Sequence, residues 1–405
     1  MYEQLLADKV QKSTARPDND TGNASYGFTG VYTSDNTKTL YTSTENGTQV
    51  YYFAGNATDN WVKFGKYEKD FIVYRGYYSS GDNYNFRDYQ TLNACESASS
   101  YKYNCTLYKY ASAGDDIYWR IIRTNTDGGI RLLYHSTSPT ATDSYIGTSA
   151  FNSTSNSPKY VGYMYGNTDA TLDEARTNAN DSTIKSAVDT WYENNLKTNY
   201  GKYLSTTAVY CNDRELAEGS TYKIAYNNLH NKKTLLAYLN KNDENFTLAA
   251  TPEGARLIFE YVGVDRLYTN KTPTYDCANT SDEFSVSNSS AKLTYPIGLM
   301  TADEVSFAGG TYGSNAPTYY YYNGSKGSSA GEKSWWTMSP YDLYSSGSRM
   351  FIVVLSNNSV SLTKTFSSES SYGVRPVTSL KSCVKWASGD GTATNPYTID
   401  ESYEC

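Results

Sequence analysis

The sequence predicts a mixed α+β domain with a β majority. Three observations carry that reading. Short alternating runs recur along the chain, separated by turn signals such as Asn46-Gly47 and Asp127-Gly128. Two stretches, 181–200 and the run from Thr301, carry helical spacing or a capping signal. The composition is polar but strand-friendly, with 43 Tyr among 405 residues beside abundant Thr, Ser and Asn.

Residues 1–25 read as a short helical stub and a polar linker. LYTSTENGTQVYYFAGN (40–56) is two alternating runs about Glu45-Asn46-Gly47, and WVKFGKY continues the pattern. Residues 76–112 are rich in Tyr, Asn and Ser with weak periodicity and read as an insertion. IYWRIIRTNTDGGIRLLYHS is the clearest strand pair: Trp119, Ile121 and Arg123 alternate with Arg120 and Ile122, and Ile130, Leu132 and Leu133 return. In 181–200, Ile184, Ala187, Val188, Trp191 and Leu196 share one helical face, with Asp181 or Ser182 as N-cap. Residues 212–250 are mixed and polar, with a helix-compatible KKTLLAYLNK. TADE sets a capping box of Thr301 with Glu304 on a helix that stops at Gly309-Gly310. From Trp335 to Leu380 the chain is strand-like, MFIVVL and VSLTKTF being parted by Asn357-Asn358. A tail, 381–405, holds turn residues and one short strand. The boundaries expected are therefore a stub (1–25), a main domain (26–380) with insertions at about 76–112 and 218–250, and the tail.

Charge and cysteines narrow the function. Only 19% of residues are charged, below the ~25% of ordinary soluble domains. The net charge is −7 with no basic stripe, which excludes a nucleic-acid partner. Six cysteines group as neighbours along the chain, so the economical pairing is Cys95–Cys105, Cys211–Cys277 and Cys383–Cys405. Zinc is the rival, but His135 and His230 stand at no ligand spacing from a cysteine. Disulfides imply an oxidising compartment. With no leader and no run of ~18 apolar residues, the chain reads as an ectodomain without its leader or anchor. Membrane or pilus attachment would then lie in a missing N-terminal segment.

Enzymatic motifs are absent: no GxSxG, HExxH, P-loop or dinucleotide fingerprint. Glu332, Asp342, Asp303 and Glu304 are the carboxylates that could serve glycoside hydrolysis, although Glu304 already has a capping role. DNDTG (18–22) and SGDGTATN (388–395) carry oxygen ligands but lack the calcium-loop pattern, and turn chemistry explains both. No metal and no cofactor is expected.

The most informative segment is SWWTMSPYDLYSSGSRMFIVVLSNNSVSLTKTFSSESSYGVRPVTSLK. Its frame is Trp335, Trp336, Pro340 and Gly373-Val374-Arg375-Pro376 around a Ser/Tyr/Asn-rich middle. This segment resembles the C-terminal part of bacterial C-type-lectin-fold proteins related to the formylglycine-generating enzyme, including the variable proteins of diversity-generating retroelements. It is similar above all to Tyr- and Asn-rich surface proteins of Gram-positive gut bacteria. VYYFAGNATDNWVKF, YWRIIRTNTDGGIRLLY, DSTIKSAVDTWYENNL and LTYPIGLMTADEVSFAGG extend the resemblance over most of 40–400. It implies a C-type-lectin-like, β-rich domain with two main helices, displayed on the cell surface and binding a protein or a glycan. The implied display set is Tyr341, Asp342, Leu343, Tyr344, Ser345, Arg349, Phe351, Asn357, Asn358, Lys364, Phe366, Ser368 and Tyr372. Trp335, Trp336, Pro340, Gly373, Arg375 and Pro376 would form the rigid frame. Ser outweighs Asn in the middle, a departure from diversified regions, and the oxidase chemistry of the formylglycine-generating enzyme is not carried over. The rival readings are a pilin-like filament subunit and an extracellular glycan-active enzyme.

Overall fold

The strand pair that is clearest in the sequence forms the hub of the larger sheet. The computed structural model of the protein describes residues 5, 10–15, 39–54, 57–82, 85–220, 222, 258–310, 312, 334–344, 347–356 and 359–403. The chain begins with β1 (Val10–Ala15), β2 (Thr39–Glu45), β3 (Thr48–Phe53) and β4 (Trp61–Lys66). Next come β5 (Phe71–Tyr77), β6 (Phe86–Tyr89), α1 (Leu92–Glu96) and β7 (Tyr103–Ala111). The hub hairpin is β8 (Asp116–Thr124) and β9 (Ile130–Ser136). Short β10 (Thr148–Ser149), β11 (Met164–Tyr165), α2 (Leu172–Ala175) and β12 (Asn180–Asp181) lead into the long helix α3 (Thr183–Asn195). After β13 (Tyr210–Cys211) come β14 (Ile258–Glu260), α4 (Val262–Val264), a π-helical turn (Asp265–Asn270) and β15 (Glu283–Phe284). The last part holds β16 (Ile297–Leu299), α5 (Ala302–Ala308), β17 (Trp335–Tyr344), β18 (Gly347–Ser356) and β19 (Ser359–Phe366). It closes with β20 (Tyr372–Gly373), β21 (Pro376–Leu380), β22 (Trp386–Ser388) and β23 (Tyr397–Ile399). The protein is thus a β-rich α+β fold, as the sequence predicts.

Local chemistry explains the elements that were expected. Asn46 and Gly47 both adopt positive φ, 50° and 74°, the backbone a two-residue I′ turn needs to match strand twist. Ser182 caps α3 by accepting the Lys185 amide, and the Thr301–Glu304 capping box forms in both directions. Gly309 ends α5 at φ 125°, where a Cβ would be strained. Trp191 on α3 meets Tyr134 edge-on at 5.4 Å and Trp119 at 6.1 Å, which fixes the helix against the hub hairpin.

The larger sheet has ten strands. β8 pairs with β9 on one side and with β3 and β4 on the other; β9 continues to β21 and β21 to β16. The second sheet runs β10-β20-β17-β18-β19, with β14 on the far end of β17. Gly373-Val374-Arg375-Pro376 carries the chain from one sheet to the other, since β20 belongs to the second and β21 to the first. Arg375, fully buried, donates through Nη2 to the Tyr134 carbonyl at 3.1 Å and lies 5.0 Å from the centre of the Trp335 ring. Trp336 donates from Nε1 to the Ser149 carbonyl at 2.8 Å. Pro340, with no N–H to give, sits where the β17–β18 register shifts, a place proline is tolerated in a sheet.

One expectation needs correction. Residues 10–15, read as part of a stub and linker, are strand paired parallel to β2, because that edge of β2 offers its backbone groups. The region 76–112, read as an insertion of weak periodicity, belongs to a small sheet of its own: β5, which starts at Phe71, pairs in the order β6-β5-β7. Its periodicity is obscured because a cation occupies its buried face. Arg75 lies 3.6 Å from the Phe86 ring centre and 3.5 Å from that of Tyr108, and it pairs with Asp88 at 2.9 Å. KKTLLAYLNK and most of 218–250 lie outside the described residues.

Candidate functional site

Five of the expected display residues, Asp342, Arg349, Phe351, Lys364 and Phe366, share one face of the second sheet, but the face is covered at its centre. Arg349 pairs across the sheet with Asp342 and Phe366, and Phe351 with Lys364, so these side chains share a side. Phe351 is fully buried, and Tyr341, Asp342 and Leu343 are buried as well. They were expected to be exposed. The cover comes from far along the chain: Tyr312 stacks on Tyr341 at 5.6 Å and meets Phe351 edge-on at 6.0 Å. Gly263 of α4 lies over Phe351, leaving room for no more than a methyl group.

What stays open is a rim. Tyr268 on the π-helical turn is 57% exposed and Phe366 41%, while Tyr344, Arg349 and Lys364 are half-buried. Arg349 donates from Nε to Asp342 at 2.7 Å, with a second short bond from Nη2, and its guanidinium stacks 4.3 Å from the Tyr344 ring centre. Lys364 donates to the Tyr312 hydroxyl at 2.5 Å, which meets the Tyr341 hydroxyl at 2.8 Å. Burial pushes the Tyr341 hydroxyl up, and burial raises the Asp342 carboxyl above its ordinary value while Arg349 offsets part of that. The result is a cation–aromatic pair, Arg349 on Tyr344, beside a lysine bonded to a tyrosine hydroxyl, both on a strand scaffold. Such a rim can stack on, and donate hydrogen bonds to, a ligand surface.

Ser368 and Tyr372 lie elsewhere. Ser368 donates to Ser155, and Tyr372 packs edge-on against Trp336 at 5.3 Å. Ser345, Asn357 and Asn358 lie outside the described residues. Tyr268 and Tyr312 were missed by sequence reasoning, since nothing local at those positions signals which sheet they cover.

A second cluster surrounds α5. Glu304 Oε1 lies 3.0 Å from Arg123 Nε and 2.7 Å from Arg131 Nε, and Arg123 also grips Glu45 through two bonds of 2.9 Å. Asp303 receives Arg266 at 3.0 Å twice, and Arg266 reaches Asp213 at 2.7 Å. Burial works to raise the Glu45 carboxyl, but Arg123 and Arg131 outweigh it and hold it below its usual value. The cavity among these groups is about 20 Å³, room for one water. Asp303, Glu304 and Asp342 are therefore each closed by an arginine, and Glu332 lies outside the described residues.

Cys95–Cys105 and Cys211–Cys277 are bonded as expected. Cys383 is disulfide-bonded too, while Cys405 lies outside the described residues. The turn at 388–395 is held by Asp390 accepting from Thr392, and 18–22 lies outside the described residues. Among the described residues no group of three His, Cys, Asp or Glu could hold a metal, and no helix is long and apolar enough to cross a membrane.

His230 lies outside the described residues, but His135 is fully buried, 3.2 Å from Ser144 Oγ and edge-on to Trp61. Burial, with Arg375 and Arg120 nearby, depresses its pKa well below 6.5. The unfolded chain then takes up a proton that the native state refuses, so this group erodes stability as pH falls below about 6.5. Between there and its native value, wild type should lose up to about 1.4 kcal/mol per pH unit relative to His135→Gln. Urea unfolding of both proteins from pH 7 to 5 checks this; parallel curves would refute it.

Comparison with protein-family models, curated proteins and solved structures finds no match.

Proposed function

We propose that the protein is a ligand-binding protein displayed outside the cell, with a C-type-lectin-like domain that engages a protein or glycan through the outer rim of its second sheet. The observation that carries this reading is the rim itself. Tyr268 and Phe366 stand open and Tyr344 half-open beside Arg349, which is stacked on Tyr344, and Lys364, which is bonded to the Tyr312 hydroxyl. Aromatic and arginine side chains held rigid at low entropic cost are what binding hot spots are made of. The Trp335/Trp336 and Gly373–Pro376 frame beneath supports the fold assignment, because it locks the sheet that presents the rim. The disulfides fit an oxidising, extracytoplasmic setting.

The test avoids the buried members, whose loss would unfold the face. Tyr268→Ala, Tyr344→Ala and Phe366→Ala are combined, and labelled protein is applied to arrayed glycans and extracellular proteins. Wild type should mark a defined class of spots, and the triple variant should bind them at least about 30-fold more weakly at unchanged melting temperature. Undiminished binding by the variant would displace the site. No wild-type signal on either array would favour the filament-subunit reading.

A further inference from the structure

We propose a second binding site, independent of the rim: a cleft between α3 and the three-stranded sheet β5–β7 that takes a short neutral oligosaccharide. The cleft measures about 590 Å³, within the ~300–1,000 Å³ of small-ligand sites. One wall is a single stripe of α3, where Thr183, Ser186, Ala187, Thr190 and Asn194 recur at intervals of three and four and all line the cleft. Ala187, placed by the sequence on the apolar face of this helix, is half-buried at this wall. The opposite wall is Phe71 and Ile72, the latter 40% exposed.

The stripe alone would mean little. The second observation is Asn195, which lines the cleft and is buried to all but 2%. Its Nδ2 donates to the Trp191 carbonyl at 2.8 Å, while its Oδ1 meets no donor among the described residues. A buried acceptor left open costs free energy until a donor arrives.

Electrostatics choose the ligand class. The Asp88 carboxylate in the wall is consumed by Arg75 and by the Tyr110 hydroxyl at 2.5 Å. At the rim Asp70 is paired with Lys109, while exposed Lys69 keeps its charge and donates to the neutral Asn194 amide, both bonds at 2.6 Å. Behind that rim the one charged group of the described lining, Asp88, is already consumed, so a charged ligand seated against Asn195 would lose its hydration without a counter-charge beside it, and a purely apolar one would leave Asn195 and the hydroxyls unpaired. A polyhydroxylated neutral molecule, with hydroxyl edges for α3 and C–H faces for Phe71 and Ile72, meets both demands.

Maltotriose and N,N′,N″-triacetylchitotriose are the probes, read by saturation-transfer NMR on the intact protein, with an uncharged tetrapeptide as comparator. At least one trisaccharide should show transfer. Ala187→Trp, which fills the cleft, and Thr190→Glu, which puts a charge into it from an exposed position, should each weaken binding at least tenfold at unchanged melting temperature. Tyr344→Ala should leave it unchanged. Transfer only to the peptide, transfer to neither sugar, or sugar binding that survives both cleft variants overturns the proposal. Sugar binding lost in Tyr344→Ala would move the sugar to the rim, failing this inference while leaving the rim reading intact.

Discussion

Glu304→Gln is expected to destabilise the protein by about 3–5 kcal/mol, because it removes one charge from a buried set and strands the others. Glu304 sits on α5 with its side chain fully inside, and both Arg123 and Arg131 point at the same Oε1. Its other oxygen accepts the Thr301 amide at 3.0 Å as half of the capping box. The amide would keep one acceptor but give up the charge that two guanidinium groups share. Arg123 would retain Glu45 as its partner, whereas Arg131 has no other ion pair among the described residues. Denaturant unfolding measures the loss. Glu193→Gln is the control, since the Glu193–Lys197 pair is half-exposed at both ends and should leave the midpoint where it was. Similar midpoints for the two variants would refute a cooperative charge cluster.

Removing the Cys211–Cys277 bridge, as Cys211→Ser with Cys277→Ser, should cost about 4 kcal/mol by freeing a 66-residue separation in the unfolded chain. The native state would suffer as well. Cys211 is followed by Asn212, whose side chain bonds the Tyr163 amide at 2.8 Å and the Met338 carbonyl at 2.7 Å. Asp213 and Arg214 come next, pairing with Arg266 and Asp282. Calorimetry of the double-serine variant should show a markedly lower melting temperature. The Cys95–Cys105 double-serine variant should lose less, its bridge spanning only ten positions. An unchanged melting temperature in the first variant would mean that the neighbouring ion pairs hold this region without the bridge.

What the sequence showed was what neighbours along the chain decide. Asn46-Gly47, the β8–β9 alternation, the Ser182 cap, the Thr301–Glu304 box and the adjacent cysteines each act within a few residues or by simple proximity, so their chemistry was legible. The face of β18 was not. MFIVVL reads as a strand with one open side, yet Met350, Phe351, Ile352 and Val353 are all buried, because α4 and Tyr312 cover the side that alternation left free. The charge cluster was hidden for the same reason, since residues 45, 123, 131 and 304 meet only in the fold. In the three-stranded sheet, Arg75 between two aromatic rings put a cation where a period-two reading expects an apolar residue.

The pairing of β4 with β23 places Val62 beside Tyr397, in parallel. Strands so distant in sequence cannot meet until all the chain between them has been delivered, whatever the speed of the hairpins between them. During synthesis, β4 therefore waits with one edge unsatisfied, and the hub can be built on only one side. That interval is when such a chain is most open to pairing with a copy of itself. β22 and β23 act less as an appendage than as a latch, and the pace at which they arrive governs how long the unfinished sheet is at risk.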